Sequence, residues 1–338
     1  MPQPRWRRTE AMAATSLSAP DPFAGIKRAW ASLEMVLVLA ILALFLVVGT
    51  INPRFVAERN LSSMFLGNAY IAVAAIGMSM VIISGNIDIS IGSLIGVLAT
   101  ISGTLAVNGV PVVIAWLVPI LVGMMVTSAM GVLIAYLRIP SIVVTLGMLS
   151  ILKGGLISVT QGAWITGMPE NFHLAQMKPL GVPMPIYAMV VLTLLAAWWM
   201  RVSPLGRAIY AVGGNAEAAR LSGISREATI MKVFAIHGAF AGMAAILFAT
   251  QLSVIQSTVP PNLELTIITA SVVGGVSILG GTGTVIGSTL AAILLAAIGS
   301  ALIFVNLSPF WLRAVQGVLI LLTVLADLYR RRRQGRLG

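Results

Sequence analysis

The chain has 338 residues, of which 58% are hydrophobic and only 9% charged, with a mean hydropathy of +1.00 and a net charge of +11. Soluble domains carry roughly 45–50% apolar and about 25% charged residues, so disorder, a disulfide scaffold and an ordinary cytosolic enzyme are excluded. What remains is a polytopic membrane protein, with apolar residues enough for about ten helices at about 20 per bilayer crossing.

Residues 1–30 are polar, with Pro2, Pro4, Pro20, Pro22 and the run Arg5-Trp6-Arg7-Arg8. No apolar core or cleavage pattern of a signal peptide follows, and the stretch is expected to be a disordered cytoplasmic tail. The first apolar run, 31–50, stands directly behind Lys27 and Arg28, which places the N-terminus inside. Further runs cover 62–84, 89–107, 111–137, 141–159, 184–200, 233–255, 265–281, 284–305 and 311–328. Pro111, Pro140, Pro185 and Pro309 fall near run starts, where a missing N–H costs nothing. The sequence thus predicts an all-α polytopic domain over 31–328 with about ten transmembrane helices, a basic tail over 329–338, and both termini cytoplasmic.

Under that topology sixteen of the 21 basic residues lie inside. Arg54, Arg59, Lys178 and Arg313 lie outside, and Lys153 falls within a span. A charge of +11 would suit nucleic acid in a soluble protein. Here the sorting is the positive-inside pattern, and no nucleic-acid partner is expected. There is no cysteine, and His173 and His237 lie far apart in sequence, so no metal site or thiolate chemistry is expected and the histidines are assigned no role.

Two connections are long enough to hold structure: 160–183, expected outside, and 201–232, expected in the cytoplasm. Within the second, Asn215 is a natural helix N-cap, Glu217 suits the positive end of a helix dipole, Ala218, Ala219 and Leu221 propagate a turn, and Gly223 ends it. A short capped helix with small side chains can enter a groove of another protein, or it can merely join two spans.

Glu217-Ala218-Ala219 with Gly223 resembles the EAA motif of ABC importer permeases. The wider string, with Gly213, Gly214, Asn215 and Arg220, closely resembles the ribose-type branch of bacterial ABC sugar permeases. Two further stretches agree with that branch: Gly85-Asn86-Ile87-Asp88-Ile89-Ser90-Ile91-Gly92-Ser93, and 272–283 with its Gly274-Gly275 and Gly280-Gly281 pairs. The match runs from about 35 to 328 in order, and Asn86 departs from it where the family usually has Gly. Asn tolerates positive φ, so the turn is expected to survive. The resemblance implies a permease subunit of the bacterial inner membrane that imports a monosaccharide by alternating access. It also implies a second permease subunit, cytoplasmic ATP-binding subunits docked on the coupling residues 213–223, and a periplasmic sugar-binding protein.

The chain lacks its own energy source. None of Lys27, Lys153, Lys178 and Lys232 is followed by Ser or Thr, so no P-loop is present and no cofactor is expected. No carboxylate pair or nucleophile grouping supports an enzyme. Ionisable groups inside spans are costly and need a reason. Asp88 reads either as a cap for the third run with Ser90 or as a polar break beside a substrate route. Lys153 reads either as snorkelling or as pairing with a carboxylate such as Glu170, and Glu264 as capping an outer helix start. Asn68, Asn86, Asp88, Ser90, Thr145, Gln161 and Gln251 are the candidate pathway residues. An ion-driven secondary transporter is the alternative, and Asp88 is the one acid it could use. Ile83, Gly85, Ile91, Gly92 and Ser93 recur at an offset of 195 as Ile278, Gly280, Ile286, Gly287 and Ser288, by duplication or by chance.

Overall fold

The computed structural model describes residues 33–258 and 260–333. The expected tail over 1–30 lies outside them. Each of the ten apolar runs contains a helix: α1 Leu33–Ile51, α2 Glu58–Ile83, α3 Ile91–Val107, α4 Val112–Ala135, α5 Ser141–Thr160 and α6 Met184–Val202, then, after two helices in the 201–232 connection, α9 Arg226–Ala249, α10 Leu263–Val273, α11 Val285–Phe304 and α12 Trp311–Arg333. Those two are α7 Pro204–Gly214 and α8 Ala216–Leu221. Eight of the helices are long and apolar enough to cross a membrane, and α3 and α10 are shorter apolar helices. Helix α12 continues through the first basic residues of the expected tail, to Arg333.

Helix α2 is the axis. From Ala69 to Ile83 it is buried throughout, against α6, α9, α10 and α11. Helices α1 and α12 are peripheral, and their exposed faces carry Leu42, Leu46, Leu321 and Leu325, as lipid-facing helices require. Helices α4 and α9 cross at small residues: a side chain on Gly238 would strike Gly123 and Thr127 Oγ1. Close backbone approach of this kind drives helix association in lipid. Ser79 Oγ (α2) donates to the Ala75 carbonyl and sits 2.6 Å from Ser288 Oγ (α11), while Ser271 (α10) donates to the same Ala75 carbonyl, so three helices share one polar seam.

Helix α10 differs from its expected length. The run 265–281 is apolar throughout, yet the helix covers only eleven residues, about 16 Å or half a bilayer core. Gly275, at φ +91, stops it with a two-bond turn: Gly275 N donates to Val272 O and Val276 N to Ser271 O. Helix α2 stops the same way at Gly85, φ +84, through Gly85 N to Ile82 O and Asn86 N to Val81 O. The left-handed residue is therefore Gly85 and not Asn86, so the departure from the family pattern leaves the turn untouched. Helix α3 begins six residues after Gly85, and α11 ten residues after Gly275.

At the end of the bundle away from α7 and α8, the 161–183 connection folds down over the end of α9. Ala175 N donates to Thr250 Oγ1 and Gln176 Nε2 to the Gln251 carbonyl, and Phe172 is fully buried. A two-residue antiparallel ladder joins β1 (Trp164–Ile165) to β2 (Ile255–Gln256).

Candidate functional site

The residues expected from the resemblance to serve coupling form one connected unit with α7. Ser203 caps α7 by accepting from Gly206 N, with Pro204 at the first helical position, where it needs no partner. The apolar face of α7, Ile209 and Val212, is buried, and Tyr210 Oη donates to Gly283 O at 2.9 Å. Asn215 then breaks the helix in extended conformation and caps α8: its Oδ1 accepts from Glu217 N at 3.1 Å and Ala218 N at 2.9 Å. Gly223, at φ +80, closes α8 with Gly223 N to Arg220 O and Ile224 N to Ala219 O, the same turn that ends α2 and α10.

Ala219 is the buried residue of α8, while Glu217, Ala218, Arg220 and Leu221 are exposed. Glu217 and Arg220 pair in two parallel contacts, Arg220 Nη2 to Oε1 at 2.6 Å and Nε to Oε2 at 3.1 Å. The guanidinium holds the Glu217 carboxyl below its ordinary range, and the carboxylate in turn raises Arg220. The outward face of α8 thus presents Ala218 and Leu221 beside an exposed ion pair.

Behind it, Gly213 meets the core. A side chain there would overlap the Ile83 carbonyl oxygen, which also accepts a 2.8 Å bond from Gly281 N. The ends of α2, α7 and the 274–284 segment therefore join backbone to backbone. Gly214 has more room for a side chain, since a methyl group there would meet only Gly281 Cα, at 3.9 Å.

The pathway candidates fall in separate places. Asn86, Asp88 and Ser90 share the turn between α2 and α3. Asp88 is fully buried: its Oδ1 accepts from Ser90 N at 2.7 Å and Ser90 Oγ at 2.6 Å, a turn just ahead of α3 and not a cap, since Ser90 holds the cap position and no side chain there bonds a helical N–H. Its Oδ2 lies 3.0 Å from Nε2 of His237, also fully buried. His237 lies midway along α9, beside Gly77, where any side chain would press on the imidazole, and edge-on to Phe234. Its Nδ1 has no hydrogen-bond partner among the described residues. Sequence reasoning assigned His237 nothing; the available signal was that an acid inside a span requires a named partner.

Elsewhere, Asn68 Nδ2 donates to Met64 O within α2, and Thr145 is buried on α5, bonding Ile142 O. Gln161 ends α5 at φ +52, bonding Ser158 O. Gln251 lies past the end of α9, its Oε1 buried without a hydrogen-bond partner among the described residues. Lys153 is exposed and makes no ion pair with Glu170 or any other carboxylate among the described residues. Glu264 stands in the first turn of α10 against Gly92 of α3, so its neighbour is the start of another helix; the cap position before it, Asn262, makes no side-chain cap. Among the described residues no group of three or more His, Asp or Glu could hold a metal ion.

A family model described as "Branched-chain amino acid transport system / permease component" matches residues 60–324. The autoinducer 2 import system permease protein LsrC of Enterobacter sp. (strain 638) is 36% identical over 295 residues, covering 87% of this chain and 86% of that relative. Its namesake in Salmonella typhi is 34% identical over 295 residues, covering 87% and 85%. The one in Photorhabdus laumondii is 33% identical over 300 residues, covering 87% and 89%. No solved structure matches the chain significantly. The importer-permease resemblance carried by the three motifs holds, and the chain belongs to the branched-chain amino acid transport system / permease component family, as a transport subunit and not an enzyme.

Proposed function

We propose that the chain is the membrane subunit of an ATP-driven importer for a small neutral monosaccharide-type solute. Separate ATP-binding subunits dock on α8, an extracytoplasmic binding protein delivers the solute, and a second permease subunit completes the route. The observation that carries this reading is α8: a capped, exposed helix held outside the bundle and tied through Gly213 to the end of α2. In this reading α7, α8 and both termini face the cytoplasm of the bacterial inner membrane, in line with the basic residues at that end. Closure of the ATP-binding subunits pushes α8, and α7 passes the displacement to α2 and the 274–284 segment.

The family description speaks of branched-chain amino acids, whereas the relatives are named for autoinducer 2. At 33–36% identity over most of both chains, the relatives are the closer guide to solute class. A pentose, a deoxyhexose or a furanose-type signal falls within it.

The test is reconstitution with ATP-binding and sugar-binding proteins from the same organism. Expected are co-purification of the ATPase and sugar uptake that stops on ATP depletion but survives proton and sodium uncouplers. Uptake with the reverse sensitivities would establish the ion-driven alternative instead. Glu217→Arg is expected to abolish both ATPase association and uptake; if both persist, α8 is not the coupling helix.

A further inference from the structure

Past the far end of α9 lies a cavity of about 320 Å³, lined by Trp164, Phe248, Gln251, Gln256 and Thr258 together with Leu252, Val254, Ile255, Pro260 and Pro261. Its size falls at the small end of ligand pockets, roughly 300–1,000 Å³.

The two-residue ladder sets which side chains reach it. Trp164 pairs directly with Gln256 and Ile165 with Ile255, so each pair shares one face. The isoleucine face is pinned to α3, where both side chains close over Gly103 and any side chain at that position would strike Ile255. Trp164 and Gln256, on the opposite face, line the cavity together with Ile255, and Trp164 remains 63% exposed. Phe248 is held in place by Tyr70, ring centroids 5.1 Å apart. Gln251 lines the cavity beside it.

None of the lining residues is ionisable. A free amino acid would bring an ammonium and a carboxylate into a wall with no opposite charge, which is unfavourable. A neutral ring bearing several hydroxyls fits this lining: its C–H face covers the indole, and its hydroxyls exchange bonds with the amide groups of Gln251 and Gln256 and the Thr258 hydroxyl.

We propose that this cavity is a contact site for the transported solute within the permease itself, selecting a neutral polyhydroxylated ring through Trp164, Gln251, Gln256 and Thr258. It rests on the sugar-import reading above and adds selectivity at the mouth of the bundle.

The absence of cysteine supplies the test. Thr258→Cys in the full chain, assembled with its partners in proteoliposomes, puts a single thiol in the cavity wall. Its maleimide alkylation rate is followed with D-ribose, L-rhamnose, autoinducer 2 or L-leucine, while ATP-driven uptake of the same compounds is measured with the parent chain. At ten times its Kd a bound sugar slows alkylation about tenfold, because the free fraction falls as 1/(1 + [L]/Kd). Expected is slowing by the imported sugar and none by leucine. Trp164→Ala and Gln251→Leu, each combined with Thr258→Cys, are expected to abolish the protection, read as the ratio of each variant's rates with and without sugar. A thiol placed outside the cavity by Val107→Cys is expected to ignore sugar. An imported sugar that leaves the Thr258→Cys thiol unprotected overturns the site and leaves the import reading standing. Uptake and protection by leucine, with none by the sugars, overturns both.

Discussion

Gly213, in the last turn of α7, lies so close to Ile83, the last residue of α2, that a methyl group on it would occupy the space of the Ile83 carbonyl oxygen. That oxygen already receives Gly281 N. No side chain mediates this junction, and it stands two residues before the cap of α8.

Replacing Gly213 with Ala forces backbone apart, and overpacking of this sort costs about 1–3 kcal/mol. ATP-driven uptake is expected to fall by about tenfold or more while the ATPase still co-purifies, because α8 itself is untouched. Gly214→Ala is the matched control, since a methyl group there would meet Gly281 Cα at ordinary contact distance and normal uptake is expected. Equal loss in both variants would locate the sensitivity in helix propensity rather than in contact with Ile83.

The Asp88–His237 pair is expected to behave as one unit. Truncating one member of a buried pair typically costs about 3–5 kcal/mol, because the other is left uncompensated. His237→Leu alone is therefore expected to lower the unfolding midpoint strongly, and adding Asp88→Asn is expected to recover part of the loss, since the neutral amide still accepts from Ser90. Thermal unfolding of the single and double variants in detergent gives the coupling, and additive losses would mean that the two groups do not depend on each other.

Loss of the Asn215 cap is expected to fray α8 selectively. Asn→Ala at such a position costs about 1 kcal/mol. In a helix of six residues that is enough to raise amide exchange across Ala216–Leu221. Asn215→Asp keeps the accepting oxygen and is expected to keep the protection. Hydrogen exchange read by mass spectrometry on this segment distinguishes the two.

Acid is expected to loosen α8 only at low pH. Arg220 depresses the Glu217 carboxyl, so the ion pair's contribution is complete above the ordinary value of 4.5 and is lost as pH falls through the lower folded value. Arg220→Ala is expected to move the Glu217 titration upward, followed by carbon NMR of glutamate-labelled protein in nanodiscs. Both groups are exposed, so raising salt is expected to shrink the difference.

The ten apolar runs were legible because hydropathy reports what lipid accepts. It does not report backbone conformation, and so 265–281 read as a full span: Val276 and Ile278 are as apolar as any helical residue, but Gly275 had already turned the chain. Helix α8 was readable from Asn215, Glu217 and Gly223 because capping is local chemistry. Helix α7 was overlooked although Ser203-Pro204 announces its start, since its apolar stripe is short and set among polar loop residues. The contact between Asp88 and His237 joins residues 149 apart, with no local pattern to betray it. The Trp164–Gln256 pairing rests on a ladder of two residues, too short for any alternation to register.

The matching turns that end α2 and α10 have a geometric corollary. Both stop at a left-handed glycine, yet the strand of chain that follows is longer after Gly275 than after Gly85, and the longer one supplies Gly281 and Gly283 to the Gly213 and Tyr210 contacts. Two similar hairpins thus carry unequal arms, and the long arm leans on the short one at the point where α7 arrives. The Ile83 carbonyl oxygen, just ahead of the short arm, is thus the atom that α7 and the long arm both meet.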